Sequence, residues 1–82
     1  MNPTYRTLFG QRLRALRLER GLQQKAVAAS LHISPSTYSN YENGVYLPNM
    51  EALILLADLF QISLDELTGH NVRAQAVHKS KR

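Results

Sequence analysis

The sequence predicts an all-α fold of five helices, and three observations support this prediction. Apolar residues recur at spacings of three and four along most of the 82-residue chain, as on one face of a helix. No stretch of useful length alternates apolar and polar residues as a half-buried strand does. Helix start and stop signals divide the chain into five segments. Because this length supports one small core, we expect one domain over residues 1–69 and a basic tail over residues 70–82.

The first two predicted helices meet at a glycine. The first covers about residues 4–20 and ends at Gly21, since glycine favours the left-handed conformation that often follows a helix. Its apolar stripe is Phe9, Leu13 and Leu16. The second covers about residues 23–32, and its apolar face is Val27, Ala28 and Leu31. Ala28 must be small if two helices cross closely here, because a longer side chain would separate them.

Cap signals place the other three helices. Ser34 and Pro35 open the third helix, since serine accepts from free backbone N–H groups and proline has no N–H to leave unpaired. It ends at residues 43–44, and its buried positions are Tyr38 and Tyr41. The core stripe of the fourth helix is Met50, Leu53, Leu56, Ala57 and Phe60. The fifth helix begins with a capping box over residues 63–66 and stops at Gly69.

Charge is distributed unevenly along the chain, which has a net charge of +4. The basic residues at the two ends are Arg6, Arg12, Arg14, Arg17, Arg20, Arg73, Lys79, Lys81 and Arg82. This distribution favours a polyanionic partner such as nucleic acid, although a basic run that is only a solvated surface is equally compatible with it. Composition alone leaves both interpretations open.

Composition also narrows the chemistry. The chain has no cysteine, which excludes disulfides, thiolate catalysis and cysteine-ligated metals. His32, His70 and His78 fall in a turn and the tail, without the spacing that holds a metal on a helix. We therefore expect no enzyme, cofactor or metal. No apolar run approaches the roughly 20 residues that span a bilayer, and the N-terminus lacks a signal-peptide pattern, so we expect a cytoplasmic protein without a membrane partner.

A series of landmarks runs from Phe9 to Leu67. They are Leu13, Leu16, Arg17, Gly21, Leu22, Gln24, Val27, Ala28, Leu31, Ile33, Ser34, Ser39, Tyr41, Glu42, Asn43, Gly44, Pro48, Leu53, Leu56, Ala57 and residues 63–67. Their joint spacing resembles the lambda-repressor-like helix-turn-helix family, which includes phage repressors, Cro proteins and the Xre-type bacterial regulators. The resemblance implies that the second and third helices form a helix-turn-helix and that the third enters the major groove of DNA.

The resemblance also implies a function and a set of site residues. We expect a sequence-specific DNA-binding transcriptional regulator, a repressor at an operator, with activation left open. The base-contact candidates are Pro35, Ser36, Thr37, Ser39 and Asn40. The phosphate-contact candidates are Gln24, Ser34 and Asn43. Asn40 is the foremost candidate, because a carboxamide can pair with N6 and N7 of adenine together. Arg17 and Glu42 are implied to form a partly buried ion pair.

Gln23, His32 and Pro35 depart from the residues that are common in the family at the matching positions. Gln23 is a poorer helix cap than the serine or threonine of many relatives. His32 occupies a turn position where glycine is common, and histidine enters the left-handed region more often than most residues. Pro35 offers no donor to a base edge, where relatives frequently carry a polar or basic side chain.

Apolar residues outside the predicted core point to self-association. Leu55 and Leu59 lie away from the core stripe of the fourth helix, and with Val45 and Tyr46 they predict an exposed surface for a homodimer. The competing expectations are a tail whose residues 72–77 fold back over this surface and a disordered tail over residues 70–82. The alternative function is a protein-interaction module, such as an antitoxin-type domain that holds a protein partner, with DNA binding secondary.

Overall fold

A computed structural model describes residues 3–70, and these residues form five α-helices without a strand. The helices are α1 (Tyr5–Glu19), α2 (Gln24–Ser30), α3 (Pro35–Glu42), α4 (Met50–Phe60) and α5 (Leu64–Thr68). The predicted five-helix, all-α class is confirmed. The expectations for residues 71–82 lie outside the described residues. None of the described helices is long and apolar enough to cross a membrane.

Four of the five described helices begin at a side-chain cap, and the caps at Ser34 and Ser63 confirm predictions. The residues whose side chains accept a backbone N–H at a helix start are Thr4, Ser34, Asn49 and Ser63. Each oxygen pairs with a donor that the first helical turn would otherwise leave unsatisfied. Gln23 precedes α2 without a side-chain cap bond, as its poor capping ability predicts. Ser63 and Glu66 form the reciprocal capping box predicted for α5.

The helix ends share one backbone conformation. The residues in the left-handed region near these ends are Gly21, His32, Gly44, Gln61 and Gly69. After α2, the N–H of Ile33 donates to the Ala28 carbonyl at 3.0 Å, which closes the turn of the motif. The turn predicted at His32 is confirmed, although α2 ends at Ser30 rather than at His32. The left-handed conformation at Gln61 was not predicted, because this residue carries a side chain where glycine is usual.

We expect His32→Gly to stabilise the domain. The φ of His32 is +60°, and a side chain in the left-handed region costs free energy that glycine avoids. Part of the gain is offset because glycine makes the unfolded chain more flexible. The expected net effect is about 0.5 kcal/mol, or roughly 2–4 °C in Tm. Ser30→Gly is the control and should lower Tm, because Ser30 lies within α2 and glycine disfavours a helix. Thermal unfolding by circular dichroism measures the Tm of both variants. A lower Tm for His32→Gly than for the wild type would contradict this account.

One core holds the helices together. Its buried members are Phe9, Leu13, Val27, Ala28, Leu31, Tyr38, Tyr41, Ala52, Leu56, Ala57, Phe60 and Leu67. Met50 was predicted to belong to this core, and that prediction is wrong, because 62% of Met50 is exposed. Ala52 takes the inward position at the start of α4. Two residues along a helix turn the side chain by about 200°, so Ala52 facing inward leaves Met50 facing outward.

Leu55 and Leu59 also differ from expectation. Both are half-buried and pack against the core, whereas they were predicted to form exposed surface. Each precedes a core residue of α4 by one position, about 100° around the helix, which places it at the margin of the core rather than opposite to it. Ile54 and Met50 are the strongly exposed apolar side chains of this helix.

A close helix approach joins α1 to α3. Gly10 is buried, and a Cβ atom built on it would overlap the Glu42 carbonyl oxygen and stand 2.8 Å from the Tyr41 carbonyl oxygen. The two backbones are therefore in direct contact, which only glycine allows. Ala28 is fully buried in the core, as its predicted packing role requires. Arg20 joins α1 to the end of α4 by donating to the Phe60 carbonyl at 2.9 Å.

Candidate nucleic-acid interface

Helix α3 has one buried and one polar face. Tyr38, Tyr41 and Glu42 are its buried residues. The opposite side, here called the polar face, carries side chains at helical spacings of three, four and seven: Ser36, Ser39, Asn40 and Asn43. Ser36 and Asn43 are exposed, while Ser39 and Asn40 are half-buried. The helix is thus anchored on one side and presents hydrogen-bonding groups on the other.

The amino-terminal end of α3 is held by its cap. Ser34 Oγ accepts the N–H of Thr37 at 3.1 Å and donates to Thr37 Oγ1 at 3.0 Å. Thr37 is half-buried, whereas Pro35 and Ser36 are exposed. Pro35 begins the helix, so its missing N–H costs no intrahelical bond. Among the base-contact candidates in this turn, Ser36 has the most accessible hydrogen-bonding side chain.

The carboxyl-terminal half of α3 is held by the loop that follows it. Asn43 Nδ2 donates to Ser39 Oγ at 3.3 Å, and Asn40 Nδ2 donates to the Tyr46 hydroxyl at 3.2 Å. The Val45 N–H donates to the Asn40 carbonyl at 3.0 Å, which folds the loop back along the helix. Tyr46, predicted only as an interface residue, therefore lies beside the foremost base-contact candidate.

A buried charge network connects α1, α2 and α3 behind the polar face. Arg17 meets Glu42 through two hydrogen bonds, Nε to Oε2 at 2.6 Å and Nη2 to Oε1 at 3.1 Å. Tyr38 donates to Glu42 Oε2 at 2.6 Å, and Gln24 Nε2 donates to Oε1 at 3.0 Å. Arg17 Nη1 also donates to the Leu22 carbonyl at 2.8 Å. Both oxygens of the carboxylate are thus fully paired, which a buried charge needs.

The network shifts the ionisation of its members. Burial disfavours the charged form of Glu42, but hydrogen bonds from Arg17, Tyr38 and Gln24 together outweigh it and hold the Glu42 pKa below its ordinary value. The hydrogen bond to Glu42 raises the pKa of Arg17. Burial, and then the bond to Glu42, raises the pKa of Tyr38 far above its ordinary value. The ion pair is therefore charged at neutral pH, with Tyr38 as a neutral donor.

The phosphate-contact candidates lie at the ends of the two motif helices. Ser34 caps the start of α3, and Asn43 caps its end. Gln24 begins α2, where its side-chain amide is turned inward to Glu42 and is half-buried. The next residue, Lys25, is exposed. It was not among the predicted phosphate contacts, although it is a cation directly after Gln24. Arg12 lies at the middle of α1, where its guanidinium is next to Gly69.

Comparison with known proteins identifies the motif. The family model described as Helix-turn-helix matches residues 13–67, which contain all of α2, α3 and α4. This chain belongs to the helix-turn-helix family. Within the family it is similar to the HTH-type transcriptional regulator AnsR of Bacillus subtilis, with 42% identity over 64 residues. That match covers 78% of this chain and 55% of AnsR, so the chain spans about half the length of this relative.

Solved structures of the family extend the comparison. The restriction-modification controller protein C.AhdI of Aeromonas hydrophila has a TM-score of 0.70 at 33% identity, over 74% of this chain and 92% of C.AhdI. The P22 c2 repressor, in complex with synthetic operator 9T, has a TM-score of 0.68 at 32% identity, over 72% of this chain and 89% of the repressor. The resemblance to lambda-repressor-like helix-turn-helix domains is confirmed.

Proposed function

We propose that this protein is a sequence-specific DNA-binding transcriptional regulator that inserts α3 into the major groove. The observation that carries the proposal is the division of α3 into a face anchored by Tyr38, Tyr41 and Glu42 and a polar face whose residues are exposed or half-buried. The major groove admits one helix, and hydroxyl and carboxamide groups read base edges there. The similarity to a repressor solved with its operator supports the same function.

The proposed contacts follow from position along α3. The base contacts are Pro35, Ser36, Thr37, Ser39 and Asn40, and the phosphate contacts are Gln24, Ser34 and Asn43. We add Lys25 to the phosphate contacts, because it is an exposed cation next to Gln24. Phosphate contacts hold the register of a protein on DNA, while base contacts select the sequence. The Arg17–Glu42 pair would then act indirectly, by holding α3 against α1 and α2.

We further propose that the protein is a homodimeric repressor that acts in the cytoplasm by occupying an operator. One helix in one groove gives limited affinity, and a dimer gains affinity by engaging two half-sites. Exposed apolar side chains that support self-association are Val45, Tyr46, Leu47, Met50 and Ile54. Leu55 and Leu59 remain candidates only at the margin of such a surface, because both are half-buried.

Selection from random duplex DNA at physiological salt tests this function. Recovery of a two-fold symmetric site, with half-sites about one helical turn apart, is the result expected of a dimer that reads an operator. Affinity for that site should fall steeply with added salt, and affinity for unrelated duplexes should be far weaker. A bound pool without any enriched sequence would overturn the proposal and favour the protein-interaction module. Sedimentation of the free protein tests the dimer separately.

We expect Asn40→Ala to remove base discrimination at one position of the site. A bidentate carboxamide contact is worth about 1–3 kcal/mol of discrimination, so specific affinity should fall roughly tenfold or more. Alanine is a strong helix former, so α3 should remain intact, and circular dichroism checks this. Titration of duplexes substituted at each base measures the loss. Lys25→Ala is the contrast, since Lys25 is exposed and losing its phosphate contact should weaken binding to all duplexes alike. Unchanged base preference in Asn40→Ala would exclude the assigned role.

A further inference from the structure

The Asn40 side chain is held by a partner outside α3. Its Nδ2 donates to the Tyr46 hydroxyl at 3.2 Å, across the loop that follows the helix. The Asn40 carbonyl accepts the Val45 N–H at 3.0 Å, so backbone and side chain of this residue are both tied to the loop. Ser39, the other half-buried residue of the polar face, has no such tie to the loop in the described contacts. Its Oγ accepts from the side chain of Asn43, which caps the end of α3.

Tyr46 is itself held in place. Its ring packs edge-on against the ring of Tyr41, with centroids 5.8 Å apart and planes inclined by 78°, a favourable aromatic geometry. Tyr41 is buried in the core, so the contact connects the loop to a rigid part of the fold. Gly44 has a φ of +75° and allows the chain to reverse between the helix and Tyr46. The Tyr46 hydroxyl therefore occupies a defined position beside the polar face.

The position of the Asn40 carboxamide matters for base recognition. A carboxamide reads adenine by donating from nitrogen to N7 and accepting from N6 at oxygen. Both of these bonds need the carboxamide to lie at the right place and angle against the base edge. The nitrogen has two hydrogens, so one can bind Tyr46 while the other and the oxygen remain for a base. The bond to Tyr46 holds the carboxamide at one place beside the loop and so limits the rotation of the Asn40 side chain.

We infer that Tyr46 is a positioning residue that affects specificity: its hydroxyl holds the Asn40 carboxamide in the place and at the angle from which it meets the base edge. This inference rests on the proposed DNA-binding function. It gives Tyr46 a role other than the interface contact that its apolar ring suggested. It also predicts that a preference at one base position depends on a residue that lies outside α3 and touches no base.

The test uses Tyr46→Phe, which keeps the ring and removes the hydroxyl. In selection from random duplexes, this variant should lose about three- to tenfold of the wild-type preference at the base position that Asn40→Ala also affects, and at no other position. The double variant should show no loss beyond that of Asn40→Ala, because both changes act through one carboxamide. Tyr5→Phe is the matched control, since the Tyr5 hydroxyl donates to the Thr68 carbonyl at α5 and its removal should leave every base preference unchanged.

A measurement on the free protein separates this inference from the function on which it rests. The side-chain NH₂ resonances of Asn40 should shift in Tyr46→Phe and stay in place in Tyr5→Phe. If the Asn40 resonances do not move in Tyr46→Phe, or if the base preference at the Asn40 position is unchanged, the inference about Tyr46 is overturned. The DNA-binding function still stands in that case, provided that the wild type enriches a site. A wild-type pool without an enriched site would overturn both. Sedimentation of Tyr46→Phe should match the wild type; a changed oligomeric state would assign Tyr46 to the interface instead.

Discussion

A Gly10→Ala variant is expected to be largely unfolded at temperatures where the wild-type domain is folded. The added methyl group would overlap the Glu42 carbonyl oxygen and press on the Tyr41 carbonyl oxygen, both of which belong to the backbone of α3. Backbone atoms in a packed helix cannot move aside as a flexible side chain can. We expect a loss of about 3 kcal/mol or more, even after the helix propensity that alanine adds, and a fall in Tm of roughly 15 °C.

Gln11→Ala is the control for this prediction. Gln11 is the next residue of α1 and is exposed, so alanine there adds helix propensity without a steric overlap. Thermal and urea unfolding of both variants should show a marked loss for Gly10→Ala and no loss for Gln11→Ala. If Gly10→Ala unfolded at or above the wild-type temperature, the close contact between α1 and α3 would not exist in the folded protein.

The second large effect is expected for Glu42→Ala. This change leaves the Arg17 guanidinium buried without its carboxylate and leaves the Tyr38 hydroxyl and Gln24 amide without their shared acceptor. Removing one partner of a buried ion pair costs about 3–5 kcal/mol, which is most of the stability of a small domain. Specific DNA binding should fall with it, because α3 loses its tie to α1 and α2. Glu19→Ala is the matched control, since Glu19 makes only an exposed contact with Arg20 at 3.5 Å and should cost less than about 1 kcal/mol.

Acid titration gives a second readout of the same network. The pKa of Glu42 is lower in the folded protein than in the unfolded chain, where it is about 4.3. Its contribution to stability is therefore complete above the unfolded pKa and is lost as the pH falls through the lowered folded pKa. Urea unfolding between neutral pH and about pH 3 should show a steeper loss in the wild type than in Glu42→Gln, which has no charge to lose. Equal pH dependence would show that other carboxylates govern acid stability.

Local signals in the sequence account for much of this fold. A serine or asparagine side chain can pair with a free backbone N–H of a helix at its start, where those groups have no partner within the helix. The structure places Ser34, Asn49 and Ser63 at three such starts. His32 shows that even an unusual turn residue can be anticipated, because the family resemblance implies a turn position there at which glycine is common. Such features depend on a few neighbouring residues, which is why sequence patterns reveal them.

Features that depend on how helices meet were harder to predict. Gly10 shows no unusual φ, and its importance comes from the backbone of Tyr41 and Glu42 in α3, which are 31 and 32 positions away in sequence. Met50 and Ala52 exchange roles because the way that α4 rests on the core decides which side of its first turn faces inward. Tyr46 reaches Asn40 only after the loop reverses at Gly44, so its identity as an apolar residue gave no indication of that contact. Helical periodicity does not determine these long-range relations.

The direct backbone contact at Gly10 has a consequence for how such a protein can acquire a new target. The packing of α3 against the rest of the domain relies on main-chain atoms at Gly10 and on the buried side chains of α3, which are Tyr38, Tyr41 and Glu42. None of these residues belongs to the polar face. Ser36 and Ser39 can therefore be exchanged for other residues with little effect on the scaffold. A library restricted to the outward positions would sample new operators on a constant frame, provided that positions 40 and 46 are varied as a pair.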